Sequence, residues 1–334
     1  MNEYLVSGIN LTKHFESRRS LTEFLVGRRP VPIRAVDGVD IQIKRGEILS
    51  LVGESGSGKT TLGRLLLLLE KPTSGEVWFD GKRIDNITWS GLKAYRKRMQ
   101  MIYQDPYGSL NPKLRVSEIV SEPLRVNGVE VRKDRLAEYL ALSGLRPPES
   151  FLERYPHELS GGQRQRVAIA RAMILEPEFV VADEPVSMLD VSLRSEILGV
   201  IKRFNQMLKT SFLLITHDLA VAAQVSSRIM VMYLGKVVEE GDTARVLRRP
   251  KHPYTQTLLS VVPRLGGSLP KALPKGEIPS AKNIPSGCRF HPRCAYALQV
   301  CSTEEPELRF VDGSRVSCHL VEQILGGTAK QGAA

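Results

Sequence analysis

Gly53-Glu54-Ser55-Gly56-Ser57-Gly58-Lys59-Thr60-Thr61 stands between two apolar runs, Ile48 to Val52 before it and Leu62 to Leu69 after it. That order reads as strand, glycine-rich loop, helix. The spacing G-x-x-x-x-G-K-T is a phosphate cradle. Its glycines let backbone N–H groups turn inward on an anion, and the helix that follows points its positive end at the same place. Lys59 has the reach for terminal phosphates, and the Thr60 hydroxyl suits Mg²⁺, which prefers hard oxygen ligands. A chance glycine-rich turn would need neither flanking element. The chain is expected to bind a nucleoside triphosphate.

Composition limits what the hydrolysis serves. The chain has 334 residues, 25% charged and 42% hydrophobic, enough for one large domain or two smaller ones and typical of a globular protein. No apolar run approaches the roughly 18 residues of a membrane span, and Met1-Asn2-Glu3-Tyr4 opens no signal segment, so a cytoplasmic protein is expected. The net charge of +11 fits nucleic acid, an anionic membrane face, or a basic surface with no partner.

Residues 1 to 47 read as strands and turns, with Val36, Val39, Ile41 and Ile43 in partial alternation. Arginines 18, 19, 28, 29 and 34 mark an irregular stretch, read as a solvated loop, with contact to a membrane or partner as the other reading. Glu76 to Arg83, around Asp80-Gly81, reads as a hairpin. Residues 91 to 175 read as mostly helical, broken by the loop Gln104 to Pro112. Two apolar strands follow, Phe179 to Ala182 and Phe212 to Thr216, separated by a helix over Ser192 to Leu208. Short buried strands alternating with helices predict a largely parallel sheet covered on both faces. Ile229 to Tyr233 and Lys236 to Glu239 form a hairpin around Gly235. Past residue 245 prolines recur and periodicity fades, which marks a small loop-rich appendage.

The strand Phe179-Val180-Val181-Ala182 delivers Asp183 and Glu184 to its C-terminal end, where ligands bind in open α/β sheets. Asp183 is the candidate for the Mg²⁺ shell. Glu184, one residue past the strand's pleat, is placed to orient and polarise a water. Leu159-Ser160-Gly161-Gly162-Gln163 opens another helix, a second anion-binding helix start. Thr216-His217-Asp218 ends another strand.

Phosphate loop, Gln104 loop, LSGGQ, Asp183-Glu184 strand and His217, in this order, resemble the ATP-binding cassette (ABC) family over residues 1 to about 245. The resemblance implies an α/β P-loop NTPase cassette with a mixed sheet core, an antiparallel β subdomain and a helical subdomain at about 91–175. It also implies an ATP hydrolase whose ATP is sandwiched between two cassettes facing head to tail. Lys59 and Gly58 with the loop amides would hold the β- and γ-phosphates, and Thr60, Asp183 and Gln104 would serve Mg²⁺. Glu184 would be general base, with His217 at the γ-phosphate. Ser160, Gly161, Gly162, Gln163 and Asp190 would face the partner's nucleotide. Phe15 resembles the aromatic on which adenine stacks, with Phe24 nearby and core packing as the other reading. In the dimer-crossing loop Ser187-Met188-Leu189-Asp190, Met188 departs from the usual alanine.

The subfamily resemblance is closer. The segments Gln104 to Pro112, Tyr155-Pro156-His157-Glu158, His252-Pro253-Tyr254-Thr255-Gln256 and Gly287 to Cys294 are similar to the dipeptide and oligopeptide importer ATPases. This implies an ATPase at the cytoplasmic face of the cell membrane. Its partners would be a second, non-identical cassette, two permease subunits, for which Ser109 to Ser117 is the docking surface, and an extracellular solute-binding protein. Some relatives carry oligosaccharides instead. A soluble cassette acting on nucleic acid or ribosomes is the reading from another class. The absence of a second cassette and of a long coiled-coil insertion weighs against it.

Cys288, Cys294, Cys301 and Cys318 fall within residues 246–334, the expected C-terminal extension. In a cytoplasmic protein such clustering suggests a metal before disulfides. The spacing C-x5-C-x6-C-x16-C matches neither zinc ribbons nor bacterial ferredoxins. Resemblance to the peptide-importer tail implies a [4Fe–4S] cluster; structural zinc and uncoordinated thiols are the alternatives.

Overall fold

The computed structural model describes residues 3–16, 32–260, 279 and 281–326. The expected arginine stretch at 18, 19, 28 and 29, and Phe24, lie outside them. The strands are β1 (Tyr4–Phe15), β2 (Ile33–Lys44), β3 (Ile48–Val52), β4 (Ser74–Phe79), β5 (Lys82–Arg83), β6 (Met99–Ile102), β7 (Phe179–Asp183), β8 (Ser211–Thr216), β9 (Arg228–Tyr233), β10 (Lys236–Asp242), β11 (Arg309–Val311) and β12 (Ser314–Val316). The helices used below are α1 (Lys59–Leu66), α2 (Pro106–Ser109), α3 (Val116–Val126), α4 (Gly161–Met173), α5 (Val191–Leu208), α6 (Leu219–Val225) and α7 (Pro253–Ser260).

The α/β chain divides into two compact units. One comprises Met1–Ser7, Gln42–Leu49 and Trp78–Thr216; the other comprises Gly8–Ile41, Ser50–Val77 and His217–Ala334. In the first, β6, β7 and β8 pair in parallel, with Met99 opposite Phe179 and Phe179 opposite Ser211. Every residue of β7 and β8 is buried, as expected of strands covered on both faces. β6 departs from the expected helix over 91–175. Its residues Met99, Gln100 and Met101 have no strand propensity of note, and the ladder to β7 decides their conformation. The predicted hairpin is present: Trp78 pairs with Arg83, and Asp80 and Gly81 turn at φ 53° and 74°.

In the second unit the order β2-β1-β4 forms one sheet and β11-β12-β10-β9-β3 runs through another. Val36, Val39, Ile41 and Ile43 of β2 are fully buried. β9 and β10 form the expected hairpin, turning at Leu234 (φ 42°) and Gly235 (φ 86°). The loop-rich tail carries more order than its prolines suggested. β11 and β12 extend the sheet, Glu239 of β10 lying opposite Val316. Lys251, fully buried, ties that hairpin down, its Nζ donating to the carbonyls of Val311 (2.6 Å) and Asp312 (2.5 Å).

Under β10, the Glu239 carboxylate accepts the backbone N–H groups of Lys251 and His252, each at 2.9 Å. The buried His252 ring accepts the Tyr254 N–H on Nδ1 at 3.0 Å, and burial pushes its pKa down to about 3. The unfolded chain takes up a proton near pH 6.5 that the native state refuses until about 3, so stability falls as pH drops through that window. Burial raises the Glu239 pKa and works the opposite way above its ordinary value. A His252→Asn variant keeps an acceptor for Tyr254 and should show a flatter loss of unfolding free energy, read by urea titration between pH 7 and 4, by up to about 1.4 kcal/mol per pH unit. Parallel pH slopes for the two proteins would remove His252 from the acid response.

Candidate active site

In the second unit, β3 ends at Val52 and α1 begins at Lys59, with the glycine-rich loop between them. Gly58 takes φ 102°, and a Cβ there would collide with the Ala35 carbonyl. A Cβ on Gly53 would collide with the Met232 carbonyl. The glycines are thus required by backbone on the outer side of the loop, while a Cβ on Gly56 would meet nothing within 4 Å. Lys59 is 5% exposed and its Nζ turns back into the loop, donating to the carbonyls of Gly53 (2.7 Å) and Glu54 (2.8 Å). Released from those carbonyls, the ammonium is the charge-assisted donor that a polyanion needs. Phe15 ends β1, half-buried, with Lys13 Nζ 5.0 Å over its ring. His217 is exposed, and its neighbour Asp218 caps α6 by accepting the Ala220 N–H at 2.7 Å.

In the first unit, buried Asp183 closes β7. Glu184 follows at φ 45°, a left-handed conformation uncommon for a residue with a side chain. Its N–H donates to the Ile215 carbonyl at 2.9 Å, which fixes the departure from the strand. Gln104 Nε2 donates to Glu184 Oε2 at 3.3 Å, so the two residues read from distant motifs meet. The Asp183 carboxylate and the Gln104 amide oxygen, both in this unit, are hard donors of the kind Mg²⁺ takes.

α4 starts at the second motif. Ser160 caps it, accepting the Gln163 N–H at 3.3 Å, and the Gln163 side chain accepts the Ser160 N–H at 3.0 Å. This box orients the first-turn amides of Gly161 and Gly162. A Cβ on Gly162 would press on Leu193 of α5 at 3.2 Å. The same helix grips the Gln104 loop: the Arg164 guanidinium lies 3.8 Å over the Tyr107 ring, and Arg171 donates to the Ser109 carbonyl at 3.1 Å. Met188 is 60% exposed and Asp190 is exposed at the start of α5.

The four cysteines require a correction. Among the described residues no three or more His, Cys, Asp or Glu side chains converge so as to hold a metal ion. The iron–sulfur expectation is overturned, and nothing supports zinc. Burial pushes the thiol pKa up at Cys294, to about 11, and at Cys318, to about 12. All four are free. Cys288 and Cys294 pack on the apolar cluster that holds Tyr233, Tyr254 and Phe290, and Cys318 packs with Val316, Leu320 and Val321. They act as small apolar residues.

Residue patterns also gave no sign that the tail reaches the phosphate loop. Arg293 pairs with Glu54, and the Tyr254 hydroxyl accepts the Glu54 N–H at 2.7 Å. Both residues lie in segments singled out above, but nothing in their spacing assigns them this contact.

Comparison with known proteins identifies the relatives of this chain. The family profile described as "ABC transporter" matches residues 36–187, and "Oligopeptide/dipeptide transporter, C-terminal region" matches residues 238–301. The chain is 40% identical to the di/tripeptide transport ATP-binding protein DppF of Pseudomonas aeruginosa, over 97% of this chain and all of that one. It is 43% identical to the oligopeptide transport ATP-binding protein AppF of Bacillus subtilis, over 93% of this chain and 95% of that one. Among solved structures, the ATP-binding cassette MJ0796, a dimer in a post-hydrolysis state with ADP and Pi, is 31% identical with a TM-score of 0.62. The match covers 71% of this chain and 98% of that one. Among the described residues no helix is long and apolar enough to cross a membrane.

Proposed function

This chain belongs to the ABC transporter ATPases, and from that membership we propose that it hydrolyses ATP to drive an importer of di- and oligopeptides. The observation that carries the reading is the joint match of a cassette and a peptide-transporter C-terminal region on one chain. That C-terminal match favours peptides over oligosaccharides, and transport over a role on nucleic acid.

The roles of individual residues are part of the proposal. Lys59 leaves the carbonyls of Gly53 and Glu54 for the terminal phosphates, and the loop amides between Gly53 and Thr61, other than that of Glu54, which Tyr254 holds, wrap the chain of phosphates. Thr60, Asp183 and Gln104 would hold Mg²⁺, which neutralises charge on the phosphates. Glu184, fixed by its backbone bond and by Gln104, orients the attacking water and accepts its proton. His217 contacts the γ-phosphate, and Phe15 stacks on adenine. Ser160, Gly161, Gly162 and Gln163, with Asp190, meet the nucleotide of a second cassette. Residues 1–245 form the cassette, with 91–175 as its helical part, and 246–334 its extension.

Transport requires permease subunits in the membrane, so the chain works peripherally, at the cytoplasmic face. A non-identical second cassette and an external binding protein complete the machine. Co-purification from membranes tests this, followed by ATPase assays of the isolated complex in lipid. Di- or oligopeptide presented with the binding protein is expected to raise turnover. Turnover that ignores peptides but responds to oligosaccharides would overturn the substrate assignment.

A further inference from the structure

Glu54 lies inside the phosphate loop, and an unpaired negative charge beside the phosphate amides would repel the ligand. The C-terminal segment supplies the counter-charge. Arg293 Nη1 donates to Glu54 Oε2 at 2.6 Å and Nη2 to Oε1 at 2.9 Å, a two-bond fork. The Arg293 side chain is 7% exposed and that of Glu54 21%, so solvent screens the pair only weakly. The guanidinium is itself positioned by the rings of Phe290 (5.7 Å) and Tyr233 (5.9 Å).

A second contact comes from α7. The Tyr254 hydroxyl accepts the Glu54 N–H, and its fully buried ring packs on Tyr233 at 4.6 Å and Phe290 at 5.4 Å. Glu54 is therefore held at both its backbone N–H and its carboxylate by residues more than 190 positions away. A glycine-rich loop held this way loses less freedom when a ligand arrives.

We propose that Arg293 and Tyr254 are positioning residues for ATP, through which the C-terminal segment sets the nucleotide affinity of the phosphate loop. The proposal rests on the ATPase reading and adds a regulator to the same site. Neither residue touches the reacting atoms; each acts through Glu54.

The test is ATP affinity of the full-length chain, read with a fluorescent ATP analogue, and KM for ATP in the assembled complex. Arg293→Met should raise Kd and KM on the order of tenfold, as expected for losing a charge-assisted contact, with kcat at saturating ATP within about twofold. Adding Glu54→Gln to Arg293→Met should recover most of the affinity, because the uncompensated carboxylate is then gone; a merely structural role gives no such recovery. Arg293→Lys, which keeps charge but loses the fork, should fall between wild type and Arg293→Met, and it carries the test if the methionine variant does not fold. Arg309→Gln, which breaks a pair with Glu322 in the same tail, should leave Kd unchanged. Unchanged affinity in both Arg293 variants, or no recovery in the double variant, overturns the proposal. Failure of the wild-type protein to bind or hydrolyse ATP in the same assays would instead sink the ATPase reading.

Discussion

Glu184→Gln is expected to keep ATP and lose turnover, with kcat falling by roughly 10²- to 10⁴-fold, the usual contribution of a positioned general base. The side chain keeps its length and can still accept the Gln104 hydrogen bond, so the local geometry should survive. The left-handed backbone at φ 45°, fixed by the N–H bond to Ile215, does not depend on the side chain either. What disappears is the negative charge that takes a proton from water. With its natural companion supplied, the variant should accumulate as an ATP-loaded cassette pair, visible as a shift in size-exclusion elution. The checking measurement is phosphate release at saturating ATP alongside nucleotide retention. Turnover near wild type would take Glu184 out of its role.

Lys59→Ala should weaken binding itself, by about 10- to 100-fold, since a hydrogen bond to a charged group contributes about 1.5–3 kcal/mol. Lys59 is buried in its own loop, where Nζ satisfies the carbonyls of Gly53 and Glu54 at 2.7 and 2.8 Å. Its removal therefore also loosens the empty loop, and the loss should exceed that from Arg293→Met, which leaves the ammonium in place. Fluorescent-nucleotide titration of the two variants side by side gives the ranking. Equal affinity for wild type and Lys59→Ala would mean that the loop had been misread.

Much of the site was legible in the sequence because its signals are local. A phosphate loop needs glycines where backbone on the outer side leaves no room for a Cβ, as at Gly58 and Gly53. The capping box of α4 needs Ser160 and Gln163 three residues apart. Strands β7 and β8 are buried on both faces and so read as unbroken apolar runs. Signals of this kind survive in a one-dimensional string.

Other features were not legible for the converse reason. Nothing in Met99 to Ile102 announces a strand; its parallel ladder to β7 supplies the reason, and the partner lies about 80 residues away. The four cysteines clustered in sequence and were expected to hold a metal, yet among the described residues no three or more ligating side chains are placed to do so.

The sequence by itself determined the strand–loop–helix with the form of a phosphate cradle, the carboxylates at the end of β7 and the second helix start at Ser160, because each is a short-range requirement of backbone geometry and charge. Only the tertiary structure decided that Gln104 meets Glu184, and that Arg293 and Tyr254 close over Glu54. Those pairings join residues 80 to 239 positions apart. They depend on how the intervening chain packs, which no local pattern encodes.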